Sequence, residues 1–86
     1  MSLAEQGNPN NQYNLGLKYY EGQDVHRNNK KAIEWFEKAA ERGHAKAEFA
    51  LGIMHEYGQG VERNYKKAME WWQKAAKNEF AAAKHS

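Results

Sequence analysis

The histidines are the residues whose spacing first suggests chemistry. His55-Glu56 matches the start of the pattern His-Glu-x-x-His, in which two histidines one helical turn apart bind zinc. The position four residues after His55 is Gln59, so the second ligand is missing. His44 and His55 are eleven residues apart. That spacing is about 16 Å along a helix, too far for the two rings to share one metal ion. We therefore expect no metal site.

The segment Gly58 to Gly60 matches the first half of a dinucleotide-binding fingerprint, a glycine-rich loop that follows a strand. Arg63 stands where the last glycine is required, and the residues before the segment indicate a helix. We interpret it as a turn. Serine occurs only at Ser2 and Ser86, and cysteine is absent, so the body of the chain lacks a nucleophile. We therefore expect a protein that is not an enzyme and that binds no cofactor.

The composition indicates one small folded domain over residues 1–86. Hydrophobic residues make up 41% of the 86, charged residues 28% and aromatic residues 13%. The net charge of +2 is far from the dense positive field of a dedicated nucleic-acid binder. No apolar run approaches the roughly 18 residues of a membrane span, and residues 1–6 are too polar for a secretory signal. We expect a soluble chain without a nucleic-acid or membrane partner, in a compartment that the sequence leaves open.

The strongest pattern in the chain is an internal repeat with an offset of 36 residues. Residues 7–42 and 43–78 agree at 16 of 36 aligned positions without a gap. Fixed periods of roughly 20–50 residues are typical of stacked supersecondary units. A third copy begins at Glu79 and ends within eight residues. We divide the chain into repeat one (7–42), repeat two (43–78) and a partial C-terminal helix (79–86).

Each repeat is expected to form two helices joined by a short turn. Asn8 is a good N-cap and Pro9 follows at the first helical position, which predicts a first helix up to about Glu21. Gly22 and Gly58 stand where a residue of left-handed conformation ends a helix. Because short turns make consecutive helices antiparallel neighbours, the chain is predicted to be an all-α superhelix of stacked hairpins.

The second helix of each repeat begins after an asparagine cap, Asn28 or Asn64, and is expected to end near Arg42 or Asn78. Its apolar residues follow the spacing i, i+3, i+4, i+7, which predicts a buried seam of tryptophan and alanine. The seam comprises Ala32, Trp35, Phe36, Ala39 and Ala40, with their counterparts Ala68, Trp71, Trp72, Ala75 and Ala76.

The first helices carry two further signals. Gly16 and Gly52 lie inside them, at a cost of about 1 kcal/mol relative to alanine, which indicates close approach of another helix. Asn14 and Lys18 are polar where repeat two has an alanine and a methionine. This face is therefore predicted to be solvated in repeat one and covered in repeat two.

The motif residues of repeat one follow one another in a fixed order: Leu15, Gly16, Tyr19, Gly22, Val25, Asn28, Lys31, Ala32, Trp35, Lys38, Ala39, Ala40 and Gly43. This order resembles that of the Sel1-like repeat, a relative of the tetratricopeptide repeat with a longer glycine-bearing turn. Departures include Asp24 at the second turn glycine, His55 at the tyrosine and Glu79 at the closing glycine. Asp24 tolerates left-handed geometry, whereas Glu79 weakens the case for a regular third repeat. The resemblance implies a right-handed α/α superhelix that serves as an adaptor between proteins.

A second apolar row on the first helices is the candidate partner-binding site. Tyr13, Leu17 and Tyr20 recur in repeat two as Phe49 and Ile53, with Tyr57 beside the third position. By analogy with tetratricopeptide relatives, this row lines a concave groove that takes a peptide or helix of another protein. The alternative is that these side chains belong to the core or bury against a second copy.

Two other functions stay open beside this adaptor role. The chain could be a structural unit that self-associates as a homodimer near Trp72, Phe80 and Ala83, or a piece of a longer solenoid. The repeated basic segments 27–31 and 63–67 could form a stripe that binds the phosphates of a nucleic acid. A net charge of +2 supplies little counterion release, which makes nucleic-acid binding the weakest of the three hypotheses.

Overall fold

The computed structural model describes residues 8–85, with side chains through residue 79, and contains four α-helices. They are α1 (Pro9–Glu21), α2 (Asn29–Glu41), α3 (Ala45–Tyr57) and α4 (Tyr65–His85). Helices that follow one another along the chain pack together. The described range contains no strand, which confirms the all-α prediction. None of its helices is both long and apolar enough to cross a lipid bilayer.

The three predicted asparagine caps are confirmed. The side-chain oxygen of Asn8 accepts from the backbone N–H groups of Asn10 and Asn11 at 2.9 and 3.2 Å. Asn28 and Asn64 each accept from the backbone N–H three residues later at 3.1 Å. Each cap satisfies a donor that the helix itself leaves free and contributes about 1 kcal/mol.

The turn between the two helices of a repeat is built the same way twice. Gly22 and Gly58 follow α1 and α3 with φ of 75° and 65°, in the left-handed region as predicted. Two residues later, Gly60 has a φ of 76° and Asp24 has a φ of 63°. Aspartate is one of the few residues that tolerates this region, so the turn keeps its course without the second glycine.

The fourth helix is longer than predicted. We expected it to end near Asn78 and to be followed by a separate partial helix, but α4 continues unbroken to His85. In repeat one, α2 ends at Glu41 with Arg42 as its cap, and Gly43, with a φ of 77°, then turns the chain towards α3. Glu79 stands at the same position in repeat two, and glutamate continues a helix readily.

A cluster of buried side chains lies between the two repeats. All of its fully buried members come from α2 and α3, and aromatic and aliphatic side chains of α1 pack around them. Removing this apolar surface from water is the main stabilising contribution to such a fold. The cluster consists of Ala32, Ile33, Phe36, Ala39, Ala40, Ala47, Leu51 and Met54.

The predicted seam is buried at its alanines but not at its tryptophans. All of its alanines except Ala76 are buried, whereas Trp35, Trp71 and Trp72 are half-buried. The Lys38 ammonium lies 4.4 Å from the centre of the Trp35 ring, and a lysine three residues after Trp71 repeats the arrangement at 4.7 Å. The seam prediction is therefore wrong for the indoles: each is only half-buried, and Trp35 and Trp71 each lie against the ammonium of an exposed lysine.

The helix-internal glycines permit the predicted close approach. Gly16 is buried, and a β-carbon there would lie 2.6 Å from two ring carbons of Phe36. A β-carbon at Gly52 would lie closer still to Trp72, which occupies the position of Phe36 in repeat two. In each repeat the large ring of the second helix therefore rests directly on the backbone of the first.

The two first helices differ in exposure as predicted. Asn14 and Lys18 of α1 are exposed, whereas Ala50 of α3 is half-buried and Met54 is buried. The polar face of α1 thus forms one side of the stack, and the apolar face of α3 packs on repeat one.

Candidate functional site

The side chains predicted to bind a partner line a groove between α1 and α3. Five of the six predicted residues border one cavity of about 180 Å³, and the core residues Phe36 and Met54 form part of its wall. We call this cavity the α1/α3 groove. The five residues are Tyr13, Leu17 and Tyr20 from α1 and Phe49 and Ile53 from α3.

Tyr57, the sixth predicted residue, does not reach the groove. Its side chain is 68% exposed and is absent from the lining, whereas Phe49 on the same helix is 54% exposed and lines it. The position equivalent to Tyr20 is Glu56, and the next residue of a helix points about 100° away. The aromatic residue beside the predicted position therefore faces another direction.

Tyr13 is the best-anchored side chain of the groove. Its ring centre lies 5.7 Å from that of Phe36 and 4.9 Å from that of His44, with tilted planes in both pairs. Burial, and secondarily the negative charge of Glu21, raises the pKa of the Tyr13 hydroxyl. The hydroxyl therefore remains a neutral hydrogen-bond donor across the physiological pH range.

His44 joins the two repeats at the end of the groove. Its Nδ1 accepts the backbone N–H of Ala47 at 3.2 Å and so caps α3, while its Nε2 is 2.8 Å from Asn10 Oδ1 on α1. A ring that accepts at Nδ1 and donates at Nε2 is neutral. Burial and then the positive charge of Lys46 lower the pKa of His44, which favours the same neutral form. Repeat one has an asparagine, Asn8, at this capping position.

A second link between the repeats lies near the other end of the groove. The Tyr20 hydroxyl on α1 donates to Gln59 Oε1, in the turn after α3, at 3.2 Å. The Arg27 guanidinium lies 5.9 Å from the centre of the Tyr20 ring. Because both ends of the groove are tied, its two sides are held in a fixed relation before any partner arrives.

The residues first considered for catalysis do not converge. His55 is buried, and its Nδ1 has no hydrogen-bond partner among the described side chains. Burial and then the positive charge of Lys67 lower the pKa of His55, which favours a neutral ring. In the part of the chain that the structure describes, no three histidine, aspartate or glutamate side chains are placed to hold a metal ion. The segment Gly58 to Gly60 is a turn after a helix.

The basic segments proposed as a phosphate-binding stripe lie partly against aromatic rings. Arg27 is near Tyr20, and the Lys31 ammonium lies 5.4 Å from the centre of the Tyr19 ring. In repeat two, Arg63 lies 4.5 Å from the ring centre of Tyr65. Contacts of this kind contribute about 0.5–1 kcal/mol at exposed sites, so these three cations can stabilise the junctions between neighbouring helices.

The sequence pattern does not predict one polar link between α3 and α4. Glu48 is buried at 3% exposure, and its Oε1 accepts from Asn78 Nδ2 at 2.7 Å, which joins α3 to α4. The only signal in the sequence is that repeat one has Gln12 at the position of Glu48, so both repeats place a polar residue where the apolar spacing expects a nonpolar one. Gln12 is also buried.

Comparison with known proteins supports the repeat assignment. The family model described as Sel1 repeat matches the chain twice, over residues 12–44 and 45–80. The crystal structure of a Sel1 repeat protein from Oxalobacter formigenes is similar, with a TM-score of 0.83 and 44% identity. That match covers 87% of this chain and 31% of the other.

A second solved structure is similar over the same extent. It is c5321, a protective antigen present in uropathogenic Escherichia coli strains displaying an SLR fold, with a TM-score of 0.84 and 39% identity. The match covers 86% of this chain and 16% of that one, so this chain spans less than a third of the length of either relative. A search of curated proteins gives no match.

The two family-model matches together cover most of the chain, and each contains one helical hairpin with its glycine turn. The motifs, the four-helix architecture and the similar solved structures agree with these matches. The chain belongs to the Sel1 repeat family.

Proposed function

We propose that the chain is a non-enzymatic interaction module whose α1/α3 groove binds a peptide segment or helix of another protein. Sel1 repeats generally mediate protein–protein interaction or scaffolding, and the family is generally a non-catalytic helical repeat. The observation that carries the proposal is the convergence of five aromatic and aliphatic side chains on one open cavity. Large aromatic anchors of this kind dominate the binding energy of protein interfaces.

The size and lining of the groove favour a protein segment over a small ligand. Small-molecule sites usually have volumes of about 300–1,000 Å³ and enclose most of the ligand. The α1/α3 groove is an open cavity of about 180 Å³ and suits a few apolar side chains of a longer segment. The hydroxyl of Tyr13 and the ammonium of Lys46, which also borders the groove, provide polar contacts beside the apolar surface. An amphipathic segment with apolar residues on one side matches this arrangement.

The chain offers a matched pair of variants that tests the groove. Phe49 and Tyr57 are exposed aromatic residues of the same helix, but only Phe49 lines the groove. Peptides are selected from a phage-displayed library on the immobilised chain, and their affinities are measured by fluorescence anisotropy. Phe49→Ala and Ile53→Ala should each weaken binding at least about tenfold, because loss of a central anchor costs about 2 kcal/mol or more. Tyr57→Ala should change the affinity less than twofold.

Circular dichroism and urea unfolding of each variant separate lost binding from lost folding. Phe49→Ala serves best for this purpose because its side chain is already 54% exposed. Ile53→Ala assigns the binding site, because Phe49 also borders a second cavity beside α4, whereas Ile53 borders the α1/α3 groove and not that cavity. Equal affinities of Phe49→Ala and Tyr57→Ala would contradict the proposal, and so would a library that yields no binding peptide.

A further inference from the structure

The helix α4 can be compared with α2, its equivalent in repeat one, on which α3 packs. Ile33 and Phe36 of α2 are 6% and 1% exposed, because α3 packs on them. At the same positions of α4, Met69 is 55% exposed and Trp72 is half-buried. Ala76 is exposed as well, although the equivalent alanine of α2 is buried. We call Met69, Trp72 and Ala76 the α4 face.

A cavity of about 420 Å³ adjoins the α4 face. In repeat one, the equivalent space contains the first turn of α3, where the His44 ring lies against Tyr13 and Ala47 is fully buried. Among residues 8–79, whose side chains are described, no segment fills the cavity in repeat two. Its lining includes Ala45 and Phe49 of α3, Trp72, Ala75 and Ala76 of α4, and the charged residues Lys46 and Glu79.

From this comparison we infer that the α4 face binds the first turns of an amphipathic helix from another protein, one with the contact pattern of α3. That pattern is known from repeat one, because α3 occupies the equivalent face there. It consists of small residues near the start of the helix and larger aliphatic side chains after them. The α3 residues that form it are Ala47, Ala50, Leu51 and Met54.

The course of α4 favours a helix from another molecule over the segment that directly follows. In repeat one, α2 ends at Glu41, and the turn at Gly43 lays α3 back on it. The position equivalent to Glu41 is Lys77, and α4 continues eight residues beyond it to His85. At 1.5 Å per residue, α4 extends about 12 Å past the level at which α2 ends. No short turn like the one after α2 therefore returns the chain to the α4 face.

A second copy of this chain is a poor occupant. The helix that it could present in the same orientation is α1, because its own α3 is already packed on repeat one. At the positions of Ala47 and Met54, α1 has Asn11 and Lys18. Burial of an amide and an ammonium against Met69 would leave both groups without their water and without partners.

The positive charge of Lys46 favours an acidic N-cap residue on the helix that binds. In repeat one, Asn10 Oδ1 accepts from the Nε2 of the His44 cap. The residue equivalent to Asn10 is Lys46, which lines the cavity and can only donate hydrogen bonds. An aspartate cap accepts from Lys46 while it caps the helix. The carboxylate of Glu79 is then available to the free N–H groups of the first turn, which carry partial positive charge.

A peptide derived from α3 tests the inference with the full chain. The probe has the sequence of residues 43–57 with His44→Asp, contains no tryptophan and is held helical by a lactam bridge on its outward side. Binding is followed by the tryptophan emission of the protein, because Trp72 loses solvent exposure when the α4 face is covered. The control peptide has the sequence of residues 7–21, with the same cap and bridge.

The protein supplies a matched pair of variants for this experiment. Met69→Glu and Gln73→Glu add the same charge to exposed positions of α4. The repeat-one equivalent of Gln73 is Glu37, which stays exposed beside α3, so Gln73 lies outside the contact. We expect saturable binding with a blue shift, at least tenfold weaker with Met69→Glu and less than twofold changed with Gln73→Glu. The control peptide should bind at least tenfold more weakly than the probe.

Several results would overturn the inference. They are no binding to the unaltered chain, equal affinity of the two peptides, or binding that Met69→Glu leaves intact. Loss of binding with Ile53→Ala alone would place the peptide in the α1/α3 groove instead. Concentration-dependent dimers in sedimentation, abolished by Met69→Glu, would assign the α4 face to a second copy. A probe that retains His44 and binds as well as the aspartate probe would overturn the role given to Lys46.

Discussion

Replacement of Gly16 by alanine sets two effects of known size against each other. Alanine inside a helix is favoured over glycine by about 1 kcal/mol, so Gly16→Ala would stabilise the chain if α1 stood alone. The new β-carbon, however, would lie 2.6 Å from two ring carbons of Phe36 and 3.2 Å from the Ala32 carbonyl oxygen. Carbon atoms pack at about 3.5–4.0 Å, so the ring must move by about 1 Å.

The Phe36 ring has little room for such a movement. It is 1% exposed and belongs to the cluster between α2 and α3. Overpacking of a core typically costs about 1–3 kcal/mol. Set against the gain of about 1 kcal/mol in helix propensity, this cost should lower the free energy of unfolding of Gly16→Ala by up to about 2 kcal/mol, and the melting temperature by about 4–8 °C for each kcal/mol lost.

Urea unfolding followed by circular dichroism at 222 nm measures this effect. Asn14→Ala is the control, because it places alanine in the same helix at an exposed position and should stabilise by a few tenths of a kcal/mol. In a Phe36→Leu background, Gly16→Ala should cost less, since the ring edge that opposes the β-carbon is gone. An increase in stability of about 1 kcal/mol in Gly16→Ala would refute the reasoning, because propensity alone would then account for the result.

Two further predictions concern polar links between helices. His44→Asn keeps a capping residue but removes the imidazole. Burial lowers the pKa of His44, so the stability it contributes is present above its unfolded pKa of 6.5 and is lost as the pH falls through the folded value. The urea midpoint should therefore fall less between pH 7 and pH 5 in His44→Asn than in the unaltered chain. Both proteins keep some dependence of the midpoint on pH, because the pKa of His55 is also lowered. An equal fall of the midpoint in the two proteins would contradict the role given to His44. Asn78→Ala leaves the buried Glu48 oxygen without its donor and should cost about 1–3 kcal/mol, whereas the exposed neighbour variant Lys77→Ala should cost less than about 0.5 kcal/mol in the same urea titration.

The sequence predicts those parts of the fold that depend on local rules. The asparagine caps, the left-handed turn residues and the helix-internal glycines each have a short-range cause, and the structure confirms all three. The end of α4 was predicted wrongly, because the repeat pattern was extended to a position where the decisive glycine is replaced by Glu79. At position 79, the helix propensity of glutamate predicts the course of α4 better than the 36-residue period does.

The candidate site is less accessible to sequence reasoning because it depends on direction as well as spacing. The i, i+4, i+7 spacing brings Tyr13, Leu17 and Tyr20 to one groove, but Tyr57 is one residue out of register and points elsewhere. The link between Glu48 and Asn78 joins residues thirty positions apart, and no local pattern predicts such a pair. The α4 face emerges only when the exposure of equivalent residues is compared.

The shared cluster between α2 and α3 also determines how the molecule comes apart. Each hairpin contributes one of its two helices to the contact with the other hairpin, because the apolar side of α2 packs against α3. A single hairpin released from its neighbour would expose Ile33 and Phe36 to water, so the isolated unit is much less stable than the pair. Melting should therefore be cooperative, with both hairpins lost in one transition and no half-melted species accumulating.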